Sequence, residues 1–149
     1  MIHVDARLDA VERWLSAQLQ GAAFALAPAS EDASFRRYFR ATLSDGRTYI
    51  VMDAPPDKED CRPFLRVAKL LHGANVHAPE VYAQDFAQGF LLLSDLGTQT
   101  YLATLNDDNA SRLFQDATAA LVRWQLATRA GELPPYDEAC LRREMNLFP

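Results

Sequence analysis

Val4, Leu8, Val11, Leu15 and Leu19 recur at steps of three and four, with Trp14 beside them, and Gly21 follows where a helix end favours a residue free to adopt positive φ. This spacing predicts an amphipathic opening helix. From Phe24 the period changes to two. Phe24 and Leu26 precede a polar Pro-Ala-Ser-Glu-Asp-Ala-Ser loop at 28 to 34, after which Phe35, Arg37, Phe39, Ala41 and Leu43 alternate with Arg36, Tyr38, Arg40 and Thr42. Ser44-Asp45-Gly46 is a hairpin turn signal, and Thr48 to Asp53 reads as the returning strand.

Pro55-Pro56 ends that strand, because proline has no N–H to give a ladder, and Pro63 suits the first turn of a helix carrying Phe64, Val67, Leu70 and Leu71 up to Gly73. Pro79 to Asp85 and Phe90 to Ser94 read as two further strands. The second opens on the unbroken apolar run Phe90-Leu-Leu-Leu expected of a buried strand. Beyond Asp95-Leu96-Gly97, a long helix from Asn109 to Ala130 carries Leu113, Ala117, Leu121 and Trp124 on one face, and Gly131 with Pro134-Pro135 stops it. A last short helix starts near Asp137. Trp14 and Trp124, at helical spacing to aliphatic neighbours, are expected in packing rather than around a ligand.

Composition narrows the function classes. The chain has 149 residues, 49% hydrophobic and 23% charged, which is enough for one core without disulfides or a structural metal and excludes collagen, coiled coil and disorder. A net charge of -5 argues against a nucleic-acid footprint spread over the surface. No apolar run reaches the ~20 residues of a membrane helix, and Met1-Ile-His-Val-Asp-Ala-Arg lacks the order of a signal peptide, so a cytoplasmic protein is expected. Cys61 and Cys140 have no C-x-x-C partner or ligand-spaced histidine, so no zinc site is read, and the lone His3, His72 and His77 are read as surface or packing residues rather than catalytic ones. The chain stops on the apolar stretch Met145-Asn-Leu-Phe-Pro149, which predicts that it is cut from something longer.

Five segments carry a resemblance. Ala33-Ser34-Phe35-Arg36-Arg37-Tyr38-Phe39-Arg40, Val51-Met52-Asp53-Ala54-Pro55-Pro56, Leu91-Leu92-Leu93-Ser94-Asp95-Leu96-Gly97, Leu133-Pro134-Pro135-Tyr136-Asp137 and Arg142-Arg143-Glu144 up to Leu147-Phe148 resemble the aminoglycoside phosphotransferase family. The first two resemble more narrowly its cell-wall-recycling branch, the anomeric kinases of N-acetylmuramate and N-acetylglucosamine. The resemblance implies an α+β fold, a protein-kinase-like N-lobe with a five-stranded antiparallel sheet and flanking helices. Residues 1–97 would be the nucleotide-binding N-lobe and 98–149 the linker and first helices leading to a C-lobe. It also implies ATP, Mg²⁺ bridging phosphates, and a sugar acceptor. The family's His-x-Asp-x-x-x-x-Asn segment and later metal-binding Asp do not occur in these residues, so this chain alone is expected to be inactive. The helix at 109 to 130 with Leu141, Met145, Leu147 and Phe148 would then expose a patch through which the fragment self-associates. The competing reading is a non-catalytic nucleotide-binding or protein-interaction module that ends naturally at Pro149.

The resemblance also marks binding residues. The loop in the phosphate-covering place has no glycine, and Ser34 is its best donor; read without the family, it is a polar hairpin loop. Where the family's third strand offers a phosphate-anchoring lysine, this sequence has Met52 or Asp53, and a carboxylate repels phosphate unless a cation intervenes. Arg37 or Arg40 on the neighbouring strand, or Arg62 or Arg66 on the next helix, could restore the charge, including as an inverted pair with Asp53; otherwise these arginines are a solvated face. Ser94, Asp95 and Leu96 fall in the hinge, where adenine would bond backbone groups.

Overall fold

Asp5 starts the first helix by accepting the N–H groups of Arg7 and Leu8, both at 3.1 Å, in a computed structural model that describes residues 5–31 and 34–146. The helix, α1, runs Ala6–Gln18 and buries Val11, Trp14 and Leu15. Val4, the first position of the expected stripe, lies outside the described residues. The chain continues as β1 (Phe24–Glu31), β2 (Arg37–Leu43), β3 (Thr48–Asp53), α2 (Arg62–Gly73), β4 (Val81–Asp85), β5 (Phe90–Ser94), α3 (Tyr101–Thr104), α4 (Ala110–Ala127) and α5 (Glu138–Met145). The strands form one antiparallel sheet in the order β1-β2-β3-β5-β4. The expected α+β sheet with flanking helices is therefore what the chain forms.

The two faces of the sheet bury separate clusters. On one face Phe39, Ala41, Val51, Phe90 and Leu92 pack against Val11, Trp14 and Leu15 of α1, with the Trp14 and Phe90 rings 5.6 Å apart. On the other, Met52, Leu91 and Leu93 pack with Cys61, and Phe64 and Leu65 of α2 close over them. Strand β5 is buried on both sides, as its apolar run predicts. His72, near the end of α2, meets the Ala78 carbonyl through Nε2 at 3.0 Å, a packing role.

Several boundaries differ from expectation. Strand β1 runs on through Pro28 to Glu31, where a loop from 28 is expected, and Pro28 faces Phe39 of β2. It is tolerated because β1 lies at the sheet edge, where a missing N–H costs no ladder bond, and the register shifts between Pro28 and Ser30. Strand β2 begins at Arg37 rather than Phe35, and β4 at Val81 rather than Pro79; β4, the other edge strand, has its own register shift between Val81 and Ala83. Helix α4 ends at Ala127, ahead of the glycine and prolines expected to stop it, because Thr128 turns extended and its hydroxyl bonds the Trp124 carbonyl at 2.8 Å. The short α3 has no counterpart in the periodicity.

Gly89 opens β5 with φ +76° in close contact with the end of β3. The Ala54 N–H donates to the Gly89 carbonyl at 2.9 Å, continuing the β3–β5 ladder past Asp53.

Candidate functional site

The α2 face of the sheet opens at one end into a cleft of about 370 Å³. Tyr38, Ile50, Phe64 and Leu93 supply its apolar surface, and the segment from Ser94 to Thr100 forms its rim. Alternation along β2 puts Tyr38 and Arg40 on this face, and pairing sets Arg40 opposite Ile50 and Ile50 opposite Leu93.

Arg40 reaches across β3 to grip the rim. Its Nε donates to Asp95 Oδ2 at 2.6 Å and its Nη2 to Asp95 Oδ1 at 3.0 Å, a bidentate fork, and Nη2 also donates to the Gly97 carbonyl at 3.2 Å. Asp95 Oδ1 accepts the Gly97 N–H at 2.9 Å. These bonds fix the backbone on either side of Leu96, whose own N–H has no partner within the chain among the described residues. Ser94 is held differently: its hydroxyl accepts the Glu80 N–H, and its N–H donates to the Glu80 carbonyl, both at 2.9 Å. Arg40 therefore has a carboxylate partner and acts on the rim rather than as a free cation.

The Arg40 fork holds the Asp95 carboxyl down at about 2, overcoming the opposing effect of burial, with the Gly97 N–H and the Thr48 hydroxyl assisting. Because the folded pKa lies below the unfolded one, the unfolded chain takes up the proton first. The stabilisation is complete above the ordinary carboxylate pKa of about 4 and is lost as pH falls through about 2. Asp95→Asn is thus expected to destabilise the chain at neutral pH, and the gap from wild type should close between about pH 4 and pH 2. Urea midpoints measured across that range check this; a gap independent of pH would contradict it.

Asp53 and Arg37 lie on the opposite face. The Asp53 carboxylate is fully buried beneath α1 and accepts from two arginines: Oδ2 from Arg37 Nε at 3.0 Å and Nη2 at 2.6 Å, and Oδ1 from Arg7 Nε at 3.0 Å and from Arg7 Nη2. Arg37 continues to Asp5, and Arg7 to the Gln88 carbonyl at 2.8 Å. The inverted charge pair is therefore present, but it joins α1 to β2, β3 and the β4–β5 turn and does not border the cleft. Arg7 escaped the sequence reading. The available signal was its place in the first turn of a helix, where the dipole disfavours a cation unless it has a specific partner.

The remaining candidates are dispersed. Ser34 is half-buried at the entrance to β2, and its hydroxyl accepts the Arg36 N–H at 3.2 Å; Asp32 and Ala33 of that loop lie outside the described residues. Arg62 bonds Asp60 and stands over the Phe86 ring at 5.1 Å. Arg66 lines a second cleft of about 440 Å³ between α2 and α4, together with Lys69, Trp124 and Arg129. Met52, at the anchoring position, is buried core. Among the described residues no cluster of His, Cys, Asp or Glu could hold a metal ion, and no helix is long and apolar enough to cross a membrane.

A sequence profile of the phosphotransferase enzyme family matches residues 25–146. Three similar curated proteins each bear the name N-acetylmuramate/N-acetylglucosamine kinase. That of Pseudomonas aeruginosa is 54% identical over 97% of this chain and 46% of its own length. That of Pseudomonas putida is 49% identical over 97% and 45%. That of Neisseria meningitidis serogroup B is 43% identical over 93% and 42%. The chain thus spans less than half the length of the relatives it matches.

Proposed function

We propose that this chain, which belongs to the phosphotransferase enzyme family, is the ATP-binding lobe of a kinase that moves the γ-phosphoryl group to a hydroxyl of an amino sugar such as N-acetylmuramate or N-acetylglucosamine. The observation that carries this reading is the pinned rim. Asp95 and Gly97 are held by Arg40, while the Leu96 N–H beside an apolar cleft is left for a ligand. A planar base lying on Ile50 and Leu93 would bond that backbone, and recognition of this kind asks little of side chains. Mg²⁺, when bound with ATP, supplies neutralisation of phosphate charge, and we assign none of its ligands to this chain.

Calorimetry is the test. The chain is expected to bind ATP and adenosine, yet to show no turnover with ATP and N-acetylmuramate, because its sequence has no His-x-Asp-x-x-x-x-Asn segment to orient an acceptor. Turnover near the ~1 per second or more of intact kinases would overturn the second expectation, and failure to bind either ligand the first. A second reading, a non-catalytic interaction module, draws on the exposed apolar side chains of the last helices, Leu102 at 92% and Leu126 at 82%. Both readings lead us to expect self-association at micromolar concentration, checked by light scattering, and ATP binding separates the kinase lobe from a protein-interaction module.

A further inference from the structure

The cleft-facing side of β2 and the residue before it carry Arg36, Tyr38 and Arg40 in a row. If a base sits at the rim beside Arg40, the rest of a nucleotide extends along the strands, away from the rim, towards the β1–β2 turn. Arg36 lies four residues from Arg40, about 13 Å along an extended strand, which is the span from a base to its terminal phosphates.

A phosphate group arriving there needs positive charge, and the usual source is absent. Met52 is apolar and buried, Asp53 is turned to the other face with Arg37, and Arg40 is engaged by Asp95. Lys58 stands over the exposed Phe35 ring at 5.8 Å. Arg36 is on the correct face: it bonds Glu59, on the approach to α2. Its side chain is 34% exposed. Its Nε and Nη2 both donate to one oxygen, Glu59 Oε2, at 3.3 Å, a looser arrangement than the Arg40–Asp95 fork at 2.6 and 3.0 Å. Two of five donors are spent on that oxygen, so the guanidinium is oriented but not saturated.

We propose that Arg36, oriented by Glu59, is the cation that takes the nucleotide's phosphates, in place of the third-strand lysine this sequence lacks. The proposal rests on the nucleotide-lobe reading above, and the test separates the two. Affinities for ATP and for adenosine are measured by calorimetry on the wild-type chain, on Arg36→Gln, on Arg36→Met, which keeps an apolar stem without charge, and on Arg36→Lys. The neutral variants are expected to lose about tenfold or more in ATP affinity with adenosine unchanged, and Arg36→Lys to retain most of the ATP affinity. A merely structural role would weaken both ligands together. If ATP and adenosine fall alike, or ATP binding is unaffected, Arg36 is not the phosphate residue and the nucleotide cleft stands. If the wild-type chain binds neither, the cleft reading fails and Arg36 loses its role with it.

Discussion

Replacing Gly89 with alanine is expected to lower the thermal unfolding midpoint by about 10 °C or more, equivalent to about 3 kcal/mol in a chain of this size. Two effects add. The backbone has φ +76°, where a Cβ costs about 1 kcal/mol or more. That Cβ would also lie 1.8 Å from the Ala54 carbonyl oxygen and 2.9 Å from its carbon. Both are backbone atoms in a buried stretch of the sheet, so no side chain can swing aside. Gly46→Ala isolates the first effect, since Gly46 has φ +85° with nothing within 4 Å of the added carbon. Its midpoint should fall by only about 2–4 °C. Differential scanning calorimetry of both variants decides the matter; equal losses would mean that the approach of Gly89 to Ala54 is not tight.

Asp53→Ala should cost about 3 kcal/mol. It removes a buried carboxylate and leaves Arg7 and Arg37 without their shared acceptor, so two guanidinium groups face each other across the vacated position. The loss falls on the attachment of α1 as well as on the sheet. Arg7→Ala and Arg37→Ala should each lose part of it, and their effects should not add, because both act through one carboxylate. Asp116→Ala, which removes an exposed i, i+4 partner of Arg112, should cost no more than about 0.5 kcal/mol. Urea unfolding of the four variants is the measurement. A loss for Asp53→Ala as small as that for Asp116→Ala would show that the cluster adds little to stability.

The periodicity of the sequence reports its own elements well wherever a face is buried. The α1 stripe, the alternation of β2 and the apolar run of β5 each correspond to a packed surface. It fails where the environment is set by another part of the chain. Pro28 looks like a loop residue until β1 is known to be an edge, and α4 has no buried residue to mark its end. The site was legible to the level of residue types. Alternation could have sorted the arginines, since Arg36 and Arg40 share one parity and Arg37 the other, but parity names a face and not a partner. Asp95 lies 55 positions from Arg40, and Arg7 lies 46 from Asp53, so only the folded sheet pairs them.

The irregularities in the two outer strands bear on how copies of this chain can meet. Both open edges are kinked, β1 between Pro28 and Ser30 and β4 between Val81 and Ala83, and the first also lacks an N–H at Pro28. A second molecule seeking to extend the sheet therefore finds neither edge a straight row of donors and acceptors. Edge-to-edge pairing of folded copies is thereby disfavoured at the level of the backbone. The self-association expected of this chain would then run through the exposed apolar side chains of the last helices, such as Leu102 and Leu126, rather than along the sheet edges.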